Sequence, residues 1–232
     1  MPETRSPGGS FEGRPSGSFD GFPSVPDGGA RSGSFYGCAS GSVDEPLYRV
    51  TFVVVDVETT GWQPGIDVMT EVAAVRFTGG EQDGKYHSLI DPGLPIPPTV
   101  SELTGIDDGL VRGAPGPETV LPRLVETIGD AVLVGHNVGF DLSFIDSALR
   151  SFAIDSLSNP VVDTLYLARR LVRDDEDVLN CKLATLARRF RLDHRPCHRA
   201  LGDALATADL LHVLIERATG YGVLRLGDLL AF

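Results

Sequence analysis

Cysteine is scarce in this 232-residue sequence: Cys38, Cys181 and Cys197 are the only three, with no CxxC spacing. That odd count excludes a disulfide framework and a four-cysteine zinc site. Such sparing use of thiols predicts a reducing, cytoplasmic setting. Long apolar runs are missing as well. None approaches the roughly 18 residues that a membrane helix needs, and no apolar core follows a basic start, as a secretory signal requires. Positive charge is also in short supply, with 20 Lys and Arg against 32 Asp and Glu, a formal net charge of -12. This argues against a broadly basic nucleic-acid-binding surface. It leaves open an enzyme that concentrates carboxylates around metal ions and meets phosphates there.

The first 45 residues differ in kind from the rest, with 10 Gly, 9 Ser and 5 Pro. Such a segment cannot bury enough apolar surface to offset its chain entropy, so residues 1–45 are predicted to be a disordered tail and residues 46–232 a folded domain. The tail carries a degenerate repeat, Gly9-Ser10-Phe11, Gly17-Ser18-Phe19 and Gly33-Ser34-Phe35, which reads as low-complexity sequence. With its six acids and three arginines set aside, the remaining 187 residues keep a charge of about -9, so the folded part is acidic in its own right.

From Tyr48 onward the texture is that of one α/β domain. Val50–Val57 is a nearly continuous β-branched and aromatic run, the pattern of a central strand buried on both faces. Val68–Thr78 and Lys85–Ile90 read as a second and third strand joined by a hairpin turn over Gly79–Gly84. Ala131–Val134 and Val161-Val162 are short further strands. Helical spacing is seen at Glu118–Ile128 behind Pro117, at Phe140–Phe152, at Thr164–Val172, around Leu183–Phe190 and at Leu201–Thr219, with a shorter helical turn at Val100–Leu103. Three antiparallel strands followed by alternating strands and helices predict a mixed sheet flanked by helices.

Three acidic segments carry the chemistry. Asp56 and Glu58 close the first strand, and residues i and i+2 of a strand face the same side. Two carboxylates there repel unless a cation lies between them, and a hard divalent ion is the natural one. Asp141 follows Gly135-His136-Asn137 and opens a helix, where the dipole favours an acid. His198 and Asp203 sit at the start of the last long helix. Five residues apart on a helix they would diverge by about 140°, so His198 is placed on the preceding loop as a mobile base and Asp203 in the first turns. His87, His136, His194 and His212 lack an acidic partner in a motif and read as structural or exposed. Arg199 reads as a solvated residue at the helix start, Asp163 as a helix cap or supporting acid, Phe140 as core, and Glu71 has no assigned role.

Asp56-x-Glu58, then Asp141, then His198 with Asp203, resembles the DEDDh family of 3′–5′ exonucleases, the group that contains the proofreading epsilon subunit of bacterial DNA polymerase III. The similarity spans Arg49 to Thr219. It implies a ribonuclease-H-like fold with a five-stranded mixed sheet. It also implies Asp56, Glu58, Asp141 and Asp203 as ligands of two divalent cations, Mg²⁺ or Mn²⁺, with His198 as general base. Hydrolysis would release nucleoside 5′-monophosphates from the 3′ end of DNA, with a single-stranded DNA end as partner. RNA 3′ ends are the alternative substrate, and a DNA polymerase is a further partner the family suggests. By the same resemblance the backbone N–H groups of Thr59 and Thr60 would hold the terminal 3′-hydroxyl and phosphate, and Leu103 and Thr104 would contact the terminal base. Two departures stand out. Only residues 221–232 follow the last helix, and neither Gln63 nor Gln82 sits in an apolar clamp-binding context, so dedicated proofreading is not part of the expectation.

Overall fold

A computed structural model describes residues 42–173, 175–176 and 178–232. The Gly-Ser-Phe repeats and Cys38 lie outside the described residues. The folded domain starts before residue 46, because Val43 and Glu45 accept hydrogen bonds from Gly227 N (2.7 Å) and Leu226 N (2.9 Å). Residues 42–45 are therefore part of the domain, a correction to the tail boundary. Their partner is a short helix, α8 (Leu226–Ala231), that the sequence reading did not anticipate.

The sheet runs β3-β2-β1-β4-β5. Its strands are β1 (Thr51–Thr59), β2 (Met69–Thr78), β3 (Glu81–Leu89), β4 (Val132–Gly135) and β5 (Val161–Asp163). β2 is antiparallel to β1 and β3 to β2, while β4 is parallel to β1 and β5 to β4. This is the expected five-stranded mixed sheet. The turn between β2 and β3 is tighter than expected: Gly79 and Gly80, at φ 62° and 87°, close it in two residues, and Glu81 already pairs with Thr78. Two successive positive φ values suit a two-residue hairpin, and glycine reaches them without a Cβ penalty. The polar start of β3 concealed this, since Glu81, Gln82 and Asp83 are exposed on an edge strand, where charge blocks unwanted pairing.

β1 is buried on both faces, which is why its sequence does not alternate. Val53, Val55 and Val57 pack with α3 (Pro117–Ile128) and α4 (Gly139–Ser151). Phe52 and Val54 pack with α5 (Thr164–Leu171), α6 (Leu183–Phe190) and α7 (Ala200–Thr219). Strand parity then carries Asp56 and Glu58 onto the α7 side, at the point where β1 leaves the core. Ala73 and Val75 of β2 share that side, so Glu71 faces it too, directly across the ladder from Glu58.

Two short helices, α1 (Pro98–Thr104) and α2 (Asp108–Val111), connect β3 to α3. Gly135 ends β4 where the chain must turn sharply into α4, and a Cβ there would lie 2.7 Å from Val138 Cγ2. Val138 is itself fully packed, so it cannot give way cheaply. Gly135→Ala is expected to destabilise the fold by about 1–3 kcal/mol. Thermal unfolding should show a melting temperature lower by several degrees, and an unchanged value would contradict this packing.

Candidate active site

The sheet and helices bring the four acids, from three separate stretches of sequence, toward the end of β1. Asp141, on the first turn of α4, is buried, and its Oδ1 accepts the Val57 N–H at 3.0 Å across 84 residues of sequence. Asp203 reaches in from α7 and accepts the Cys197 N–H at 2.7 Å. Asp56 and Glu58 stand between them on β1, partly open to solvent.

Burial raises all four carboxylates, and neighbouring acids add to it at Asp56, Glu58 and Asp141. Burial, with Asp141, Asp203 and Glu58 nearby, pushes Asp56 well above the usual carboxylate range. Burial and the charges of Asp203, Glu71 and Asp141 raise Glu58 to about 8. Asp141 is raised to about 7, chiefly by burial, against the lowering effect of the Val57 N–H. Asp203 is raised by burial as well, while the backbone N–H of Cys197 and the nearby His198 pull the other way. Four acids raised together mark a cluster short of positive charge. Among the described residues, however, no three His, Cys, Asp or Glu side chains stand at metal-ligating spacing. Asp141 is turned onto the β1 backbone and Asp203 onto the Cys197 loop. The donor chemistry fits hard divalent cations, since all four groups are carboxylates converging from three elements.

His198 lies on the loop before α7, as expected, and is exposed. Its φ of 57° is in the left-handed region, which costs a non-glycine residue of order 1–3 kcal/mol and persists only where surrounding contacts hold it. Gly202 makes room for this loop: a Cβ there would lie 2.8 Å from Cys197 Sγ.

Several expectations are corrected. Arg199 is not a solvated helix-start residue, because its guanidinium forks onto Glu71. Glu71 is fully buried. His87 and His194 are structural or exposed, as expected, each beside an acid outside any local motif: His87 Nε2 lies 2.8 Å from Glu71, and His194 Nδ1 lies 3.0 Å from Asp209. The Thr60 N–H does not point to an open site, since it donates to Val68 O at 2.8 Å, and the Thr60 hydroxyl accepts the Val68 N–H in return. Thr59 is buried, and its hydroxyl donates to Gly61 O. Thr104 is buried too, with its hydroxyl on Val100 O and the Ile106 N–H, whereas Leu103 is 49% exposed on α1. Asp163 caps α5 through the Leu165 N–H and holds the Asn137 N–H, the capping role expected of it. His136 is structural, its two ring nitrogens on Thr164 Oγ1 and Cys181 O.

Trp62, the only tryptophan, follows Gly61 directly and is 64% exposed, its ring 5.8 Å from that of half-buried Phe140. Phe140 in turn lies against Phe144 at 4.9 Å. In the sequence its signal is a lone aromatic four residues after Glu58.

A mixed five-stranded sheet with a carboxylate cluster at the end of its central strand defines a ribonuclease-H-like nuclease architecture. The Exonuclease family model of the RNase T type matches residues 53–211, and the chain belongs to that family. A Mycobacterium tuberculosis protein bearing the name bifunctional exonuclease/endonuclease is 44% identical over 183 residues, covering 76% of this chain and 28% of that protein. The PolC-type DNA polymerase III of Bacillus subtilis is 38% identical over 178 residues, covering 76% of this chain and 12% of the polymerase. The chain thus spans only a minor part of these relatives. Exonuclease X, solved in complex with 5′-overhanging duplex DNA, superposes with a TM-score of 0.59 at 26% identity, covering 77% of this chain and 99% of the other. Escherichia coli Exonuclease I with a dT13 oligonucleotide shares the fold at a TM-score of 0.66 and 21% identity, over 75% of this chain and 43% of that one.

Proposed function

We propose that the chain is a metal-dependent 3′–5′ exonuclease that hydrolyses the terminal phosphodiester bond of single-stranded DNA and releases nucleoside 5′-monophosphates. The observation that carries this reading is the set of four acids from β1, α4 and α7, all raised above the usual carboxylate range, beside the strained His198 loop. Asp56, Glu58, Asp141 and Asp203 would hold two divalent cations of the Mg²⁺ or Mn²⁺ type, which when bound neutralise the phosphodiester and acidify water. His198, exposed at the rim, takes the proton of the attacking water, a task suited to an imidazole at neutral pH. Trp62 and Leu103 offer exposed apolar surface for the terminal base. Base stacking on an aromatic ring is tolerant of sequence and contributes about 1–3 kcal/mol per base.

DNA is favoured over RNA because Exonuclease X and Exonuclease I were solved with DNA and because relatives are DNA polymerases. A DNA polymerase is a partner suggested by those relatives. No helix among the described residues is long and apolar enough to cross a membrane, and the free thiols of Cys181 and Cys197 support a cytoplasmic setting. Digestion of 5′-labelled DNA and RNA oligomers side by side with Mn²⁺ tests the proposal. A descending ladder on DNA with mononucleotide product is expected. Release of label first would overturn the polarity, and digestion confined to RNA would overturn the substrate.

A further inference from the structure

Glu71 is buried in the sheet without being a member of the four-acid set. Its side-chain hydrogen bonds run to the His198 loop and to the edge strand β3. Its Oε1 and Oε2 accept Arg199 Nε at 3.2 and 3.0 Å, and Oε1 accepts Arg199 Nη2 at 2.6 Å. The Ala200 N–H, the first of α7, donates to Oε2 at 2.8 Å, and His87 Nε2 lies 2.8 Å from Oε1. Burial pushes this carboxyl up, but the hydrogen bonds from Arg199, His87 and Ala200 outweigh it and hold its pKa below the usual value. A buried ion pair of this kind is weak evidence for stability, because well-packed apolar residues often do as well. Its content is positional: a planar, two-toothed fork fixes both distance and orientation.

What it fixes is the residue beside His198. The left-handed turn at His198 is gripped on one side by Cys197 N on Asp203 and on the other by Arg199 on Glu71. Asp203 anchors the loop to α7 itself, whereas Glu71 anchors it to the sheet, one rung across from Glu58. We propose that Glu71, acting through Arg199, is a positioning residue that sets His198 against the acid cluster. This rests on the nuclease reading with His198 as base. Arg199 so placed is a strut, and Glu71 sets the distance between a base carried by α7 and acids carried by β1.

A double-mutant cycle on the full chain tests this. Glu71→Gln keeps the shape and removes the charge; Arg199→Lys keeps the charge and removes the fork, and serves if the first variant fails to fold. Either change is expected to lower kcat on labelled single-stranded DNA by about 10–100-fold while KM moves by less than about threefold. In a His198→Ala background the same change should cost less than about twofold more, because the positioned group is gone. Melting curves establish that each variant is folded at the assay temperature. Losses that multiply with that of His198→Ala, or that appear in KM, would overturn the proposal while leaving the nuclease reading intact. A wild-type chain with no Mn²⁺-dependent release of mononucleotides would overturn both.

Discussion

Asp203→Asn should all but abolish turnover. Asp203 reaches the β1 acids from α7, and it also receives the backbone N–H that folds the His198 loop. Asparagine keeps the size and can still accept from Cys197 N, so the fold should survive. Losing one anionic oxygen donor removes several kcal/mol of charge stabilisation at the phosphoryl centre. At about 1.4 kcal/mol per tenfold, a fall of about 10³-fold or more in kcat is expected. His198→Ala should cost about 10²–10⁴-fold, the usual worth of a general base, with metal binding kept. Steady-state digestion of a labelled oligonucleotide measures both. Near-wild-type rates in either variant would mean that the chemistry lies elsewhere.

The metal-free protein should become less stable as pH rises, which is opposite to the usual behaviour of paired acids. Glu58 is raised to about 8 and Asp141 to about 7 in the fold, from 4.5 and 3.8. The unfolded chain releases these protons near pH 4–5, whereas the native state holds them into the neutral range. The native state therefore binds more protons across that window, and stability is full below about pH 4, falling as pH climbs through about 8. A loss of a few kcal/mol is expected between pH 5 and pH 8.5 in chelator. Millimolar Mn²⁺ should restore the melting temperature at the upper end, because it binds the native state. A melting temperature that rises with pH in chelator would contradict the raised acids.

Much of this candidate site is legible in the sequence, because its signals are local. The i, i+2 spacing of Asp56 and Glu58 in an apolar strand, the strand-to-helix step before Asp141 and the loop-to-helix step at His198 each lie within a few residues of sequence. The five-strand count followed from the same short-range periodicity. What stayed hidden depends on long-range closure. Glu71 sits in a run of apolar and small residues, and its partner Arg199 is 128 residues away, so nothing nearby marks it as half of a buried pair. Thr60 looked like an open donor until the chain returned at Val68 to take its N–H. The early start of the domain was equally illegible, because Val43 and Glu45 are held by α8 at the other end of the chain.

Calorimetric titration of the chelator-treated chain with Mn²⁺ at pH 8 tests the central claim most directly. If Asp56, Glu58, Asp141 and Asp203 form one cation-binding cluster, the wild type takes up two ions with proton release, and Asp56→Asn loses most of that binding while remaining folded. Absence of Mn²⁺ uptake by the wild type, or uptake unchanged by Asp56→Asn, would contradict it.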